Sequence, residues 1–196
     1  MLIKSILRRF IKRNAGAVAV EFAMIAGPLF ALMLGIIEAG YDLYMQGALD
    51  NAAHEAARQI LTGAAQNTSV NGAAPDQTYF IKNFVCSKLP GNFACSNVVV
   101  NISDFAKTAA PTPYYNYVNA AKTGLIEPPL DNTKTSYCMG STSAYVVLQI
   151  LYPMPVLTGA FARGAVQTYQ GHTVRVLTAT AVFRNEPFPT PANAGC

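Results

Sequence analysis

The chain has 196 residues, 52 % apolar and 12 % charged, which allows one modest folded domain beside any membrane segment and excludes global disorder. Its net charge of +4 is local, because Lys4, Arg8, Arg9, Lys12 and Arg13 precede any acid and leave nine basic against ten acidic residues elsewhere. That near-neutral remainder offers no basic surface and argues against a nucleic-acid partner.

The basic segment 1–16 leads into an apolar run from Ala17 to Ile37 that carries one charge, Glu21. About 20 residues at the helical rise cross the hydrocarbon core of a bilayer, so 17–37 is expected to be a transmembrane helix. It is longer than the roughly 7–15 apolar residues of a cleavable secretory signal. Basic residues before a span keep the N-terminus in the cytoplasm and send the rest across, which predicts a single-pass membrane protein whose C-terminal domain lies on the translocated side. A carboxylate at the centre of such a span costs about 2.5–3.5 kcal/mol on insertion scales. Glu21 therefore either has a functional partner or lies close enough to the interface to reach water or Arg13.

The helix is expected to continue as a stem over 38–62, a stretch without proline in which Tyr44, Ala48, Ala52, Ala56 and Ile60 recur at i+4. As one rod, 17–62 would be about 69 Å long. Pro28 cannot bond the carbonyl of Met24, so a kink is expected there, and Gly63 reads as the stop. The small-residue face suits packing on the chain's own sheet, the favoured reading, or against other subunits.

Residues 63–196 are expected to form a disulfide-stabilised α+β globular domain, beginning with a linker or exposed loop over 63–77. "PDQTYFIKNFVCSKL" has Pro at a helix start and aromatic residues at helical spacing, predicting a short second helix that ends near Leu89. "NVVVNISDF" (97–105), "SAYVVLQILYPM" (143–154) and "HTVRVLTATAVF" (172–183) are rich in β-branched residues, predicting an antiparallel sheet. Between the first two, 106–137 reads as a covering loop, or else as an exposed recognition surface built on "PTPYYNYVN" with Tyr114 and Tyr115. The predicted class is thus α+β: a long N-terminal transmembrane helix continuing as a stem, packed on a small antiparallel sheet domain with a short second helix.

Cys86, Cys95, Cys138 and Cys196 all fall on the translocated side, where disulfides persist. Four cysteines allow three pairings that sequence alone does not distinguish. Cys86 with Cys95 is favoured by the short, Pro-Gly-containing loop between them, and Cys138 with Cys196 then follows by elimination.

Catalytic chemistry has little to stand on. "HEAAR" (54–58) misses the zinc motif His-Glu-x-x-His because Arg58 occupies the second ligand position. His54 reads as a surface or packing residue, and Glu55 with Arg58 as an i+3 ion pair. His172 is the only other histidine, and no nucleophile elbow, phosphate loop, dinucleotide fingerprint or C-x-x-C occurs. The reading is a non-enzyme, with no catalytic residues, metal or cofactor.

The basic leader, Gly16 and the opening "AVAVEF" resemble the class III signal of type IV pilin-like proteins. More narrowly, "GAVAVEFAMIAGPLFALMLGIIEAGYDLYMQGALDNAAHEAARQILTG" resembles the N-terminal signature of TadE-like proteins, minor pseudopilins of the tight adherence (Tad, or Flp) pilus. "YVVLQILYPMPVLTGAF" and "VLTATAVFRNEPF" are similar to that family's later strands. The resemblance implies cleavage by a prepilin peptidase between Gly16 and Ala17, and a Glu21 that helps recruit subunits by pairing with the new terminal amine of a neighbour. Phe22 stands where the major Flp pilin commonly has Tyr, and the chain is far longer than that pilin; both favour a minor component. The function implied is that of a minor pilin in pilus biogenesis and surface adherence, with the inner membrane, the peptidase and other pilin or pseudopilin subunits as partners. The contrasting reading is a signal-anchored periplasmic binding or enzymatic domain whose uncleaved helix is only a tether.

Overall fold

A computed structural model describes residues 15–70, 72–105, 118–124, 126, 128–156 and 166–189. The basic leader up to residue 14, the tyrosines at 114 and 115, and Cys196 lie outside the described residues. The chain divides into two compact units, Met1–Leu43 and Tyr44–Cys196. Helix α1, Ala15–Leu61, runs unbroken through Pro28 and contributes to both.

In the first unit, α1 is apolar all round. Twelve large apolar side chains between Val18 and Ile37 are 50–73 % exposed, Phe22 at 69 % and Met24 at 73 % among them. No core shelters them within the unit. A helix greasy on every side, with none of its most apolar window buried, has the length and composition of a membrane span.

The second unit is built on a four-stranded sheet of order β1-β2-β4-β3, with β1 at Val99–Phe105, β2 at Tyr145–Pro155, β3 at Val166–Tyr169 and β4 at His172–Arg184. All neighbours are antiparallel, and the register sets Ile150 of β2 opposite Val100 of β1 and Ala179 of β4. β2 is buried without a break from Val146 to Met154, the signature of a central strand covered on both faces. The second half of α1 adds Met45, Leu49, Ala52, Ala53, Ala56, Ala57 and Ile60 to the buried set. Gln46 Nε2 donates to the Thr178 carbonyl at 3.1 Å, tying α1 directly to β4. The expected i+4 row proves to be the margin of this face: Tyr44 is 54 % exposed and Ala48 half-buried, while Ala52, Ala56 and Ile60 are buried. Each large side chain sealed here contributes roughly 1.5–3 kcal/mol of transfer free energy, so the chain's own sheet accounts for this part of the alanine stripe.

Gly63 ends α1 as expected, at φ 77°. Its N–H donates to the Ile60 carbonyl at 3.0 Å, which satisfies one of the carbonyls left free at the helix end. The stretch after it is only in part the linker or exposed loop expected from composition, with Asn67, Ser69, Gly72, Ala73 and Asp76 exposed. A further turn, α2 (Ala64–Asn67), follows at once with Ala65 and Gln66 buried, and Pro75 is buried too. Gln66 is drawn inward because its amide serves two backbone carbonyls, which no count of small polar residues would reveal.

The short second helix is α3, Gln77–Phe80, extended by a π-helical turn over Ile81–Val85 and a 3-10 turn over Cys86–Lys88. Asp76 caps it by accepting the Tyr79 N–H at 2.7 Å, so Pro75 precedes the cap instead of opening the helix. The three strands read from sequence are present, and β3 was missed. It is four residues long, largely exposed and without alternation. It is joined to β4 by Gln170 and Gly171, both at positive φ (49° and 81°), the hairpin turn whose twist matches the strands it joins.

Part of the 106–137 segment does cover the sheet. Asn132 spends its side-chain amide on the outer edge of β1, accepting from Val100 N–H and donating to the Val98 carbonyl, both at 2.9 Å. The chain then pairs parallel to β1 at Tyr137, with Ile102 N–H donating to Ser136 and Cys138 N–H to Ile102. Backbone groups that would otherwise template another strand are thereby satisfied. The aromatic run 111–117 lies outside the described residues.

Tyr137 anchors this cover by donating to the Pro75 carbonyl at 3.0 Å. Burial, and secondarily the charge of Asp76, push its phenol above the ordinary tyrosine range. The folded chain therefore holds this proton after the unfolded chain starts to release it near about pH 10. Its contribution is complete below that pH and is lost as pH rises further. Tyr137→Phe should show a shallower alkaline loss of stability than the parent when urea midpoints are compared between about pH 8 and pH 11; parallel profiles would contradict this assignment.

Candidate processing and assembly site

Four residues of α1 carry the functional expectations: Gly16, Ala17, Glu21 and Phe22. Helix α1 includes both Gly16 and Ala17, the pair on either side of the candidate scissile bond.

Glu21 follows about one turn later and is exposed, as are its apolar neighbours Val20, Phe22, Met24 and Ile25. It is a carboxylate on a surface that otherwise suits lipid. Ala17 and Glu21 are i and i+4, on one side of the helix, so an amine created at Ala17 would stand within a turn of the carboxylate's own level. Phe22 adds a large exposed ring beside it.

A second acid closes the apolar stretch. Glu38 is 6 % exposed, in contrast to Ile36 and Ile37 at 63 % and 57 %. Glu38 lies seventeen positions after Glu21, about 26 Å along the axis, close to the hydrocarbon thickness of a bilayer. The two carboxylates thus bracket the greasy segment. The change in polarity after Ile37 is its local signal in the sequence.

The other candidates are structural. Cys86 and Cys95 are disulfide-bonded across nine positions, with Cα atoms 5.8 Å apart. Their loop carries Phe93, which packs on Tyr152 at 4.7 Å between ring centroids, and Ala94, whose N–H donates to the Tyr152 hydroxyl. Closing so short a loop is worth about 2–3 kcal/mol in the chain-entropy account. Cys86→Ser/Cys95→Ser should lower unfolding free energy by that amount in denaturant titrations, and a change under about 0.5 kcal/mol would show that packing alone holds the loop. Cys138 is also disulfide-bonded, and Cys196, the partner expected for it, lies outside the described residues.

His54 is exposed on α1 and His172 at the β3–β4 hairpin. The ion pair expected between Glu55 and Arg58 does not form, whereas Lys134 pairs with Asp131 at 3.3 Å. Among the same residues no three His, Cys, Asp or Glu side chains gather as a metal site would require. A groove of about 640 Å³ runs along α3 past the Cys86–Cys95 disulfide. Lys82 is the one charged residue of its lining, and the two cysteines there are oxidised, so it offers no acid, imidazole or thiol to do chemistry.

Fold and site together define a class: an α+β domain joined to one helix of membrane-spanning length and composition. The family described as TadE-like protein matches the chain over residues 16–58, from Gly16 to Arg58. The match thus opens on the residue before the candidate scissile bond and runs through the apolar stretch into the buried part of α1. Comparisons with curated proteins and with solved structures gave no match.

Proposed function

We propose that this chain is a minor pilin, or pseudopilin, of the Tad/Flp pilus system. It is held in the inner membrane by residues 17–37 and cut after Gly16 by a prepilin peptidase, and takes part in pilus biogenesis and surface adherence alongside other pilin or pseudopilin subunits. The family named by the match is one of pilus components and not of enzymes. The observation that carries the reading is the coincidence, within residues 16–58, of that match with a helix whose large apolar side chains are exposed around a carboxylate at position 21.

The physical reason is mutual compensation. Cleavage would leave an ammonium at Ala17, at the end of a helix that is itself positive. A carboxylate in an apolar layer and an amine at a helix terminus each carry a desolvation cost that pairing offsets. When subunits pack side by side, Glu21 of one can meet the amine of the next.

Intact mass of the protein extracted from membranes of cells holding the cognate peptidase tests the first step. A chain that begins at Ala17 is the expected result. A chain that begins anywhere else removes the second charge and the proposal with it.

A further inference from the structure

Two buried amides meet where the segment after β4 crosses the end of α1. That segment is fastened there by Glu186 N–H donating to the Leu61 carbonyl at 2.8 Å and by Phe188 N–H donating to the Thr142 hydroxyl at 3.2 Å. Gln66 and Asn185, one on each side of the junction, are each 2 % exposed. Gln66 Nε2 donates to the carbonyls of Ile60 at 3.1 Å and Met139 at 3.2 Å. Asn185 Nδ2 donates to Met139 at 3.0 Å and Ser141 at 2.9 Å.

These bonds fix both amide orientations. Turning either group over would press its oxygen against two carbonyl oxygens in place of two satisfied donors. The remaining atoms, Gln66 Oε1 and Asn185 Oδ1, are therefore held inside the protein as acceptors, and neither has a hydrogen-bond partner among the described residues. A buried acceptor without a donor costs about 1–3 kcal/mol, and native proteins meet that cost by admitting water. Both amides share the Met139 carbonyl, so their nitrogens lie no more than about 6 Å apart.

We propose that this junction binds internal water, donating to Gln66 Oε1 and Asn185 Oδ1. Water fits better than a cation. The groups converging here are neutral amides and carbonyls, and those carbonyls are already committed to N–H donors, whereas a cation would need several free oxygens and a compensating acid. Such water ties the turn after α1 and the strap that begins at Asn185 into one network, which their amide nitrogens already connect to the 139–141 segment. It leaves only when the strap lifts, so its residence time follows the opening of the bond from Glu186 to Leu61.

A crystal structure of the full chain grown in a lipid mesophase decides the point. Density for a water about 2.7–3.2 Å from each orphan oxygen is expected. Protein donors on those oxygens, a bound cation, or empty space at a resolution that reveals other internal waters would overturn the proposal. In micelles, a long-lived water cross-peak to amides of the 139–141 segment is expected in nuclear Overhauser spectra, and its absence would count equally against it.

Discussion

Glu21→Ala should leave a protein that still inserts and is still cut, in cells that make at least tenfold fewer pili. Removing the carboxylate spares the span up to about 2.5–3.5 kcal/mol on insertion scales, so membrane recovery should equal or exceed that of the parent. On the proposed function, what is lost is the partner for the amine that cleavage would leave at Ala17. That amine would sit at the positive end of the helix dipole, which would raise its need for a counter-charge. Glu21→Gln separates charge from shape, because it keeps the size and hydrogen-bonding capacity and should fail almost as badly. Counting filaments by electron microscopy, with membrane fractions and intact masses from the same strains, reads all three steps. Normal piliation in either variant would show that the acid is merely tolerated near the interface.

Gly63→Ala should be the most damaging small substitution in the second unit. At φ 77° the backbone occupies the left-handed region, which costs a residue with a side chain roughly 1–2 kcal/mol. The added Cβ would also lie 2.5 Å from Phe188 Cγ, a contact that forces the ring and its strap to move. Overpacking of this kind typically costs about 1–3 kcal/mol, so a total of about 2–5 kcal/mol is expected from urea unfolding of the full chain in micelles. The two terms can be separated. In Gly63→Ala/Phe188→Ala the clash is gone and the conformational cost remains, so Gly63→Ala should be milder in that background than in the parent. Equal costs in both would mean that Phe188 does not seal the helix end.

The helix of membrane-spanning length was legible from sequence because its signals are local. A run of apolar residues, a basic leader, a glycine and one acid are a pattern in composition and spacing, and membrane chemistry acts on that pattern wherever the rest of the chain goes. The three longer strands were legible for a similar reason, since β-branched residues were concentrated in each. The pairing of Cys86 with Cys95 followed from a loop too short to leave them far apart. Where the buried face begins was not legible: Tyr44 is exposed at the head of the i+4 row, because such a row names a direction on a helix without saying where its partner surface ends.

By itself, then, the sequence determined that this chain has a helix long and apolar enough to cross a bilayer, where that helix stops, and that a sheet-containing domain follows it. Tertiary structure alone decided the rest. It put Gln66 inside though its neighbours are small and polar, used the side chain of Asn132 as a piece of strand, added the short β3 through a two-residue hairpin, and laid Phe188 over Gly63. Each of these rests on hydrogen bonds or contacts between residues far apart in the chain. Such partners are chosen by which backbone groups are left unsatisfied once the sheet and helix have met, and that remainder does not exist until the fold does.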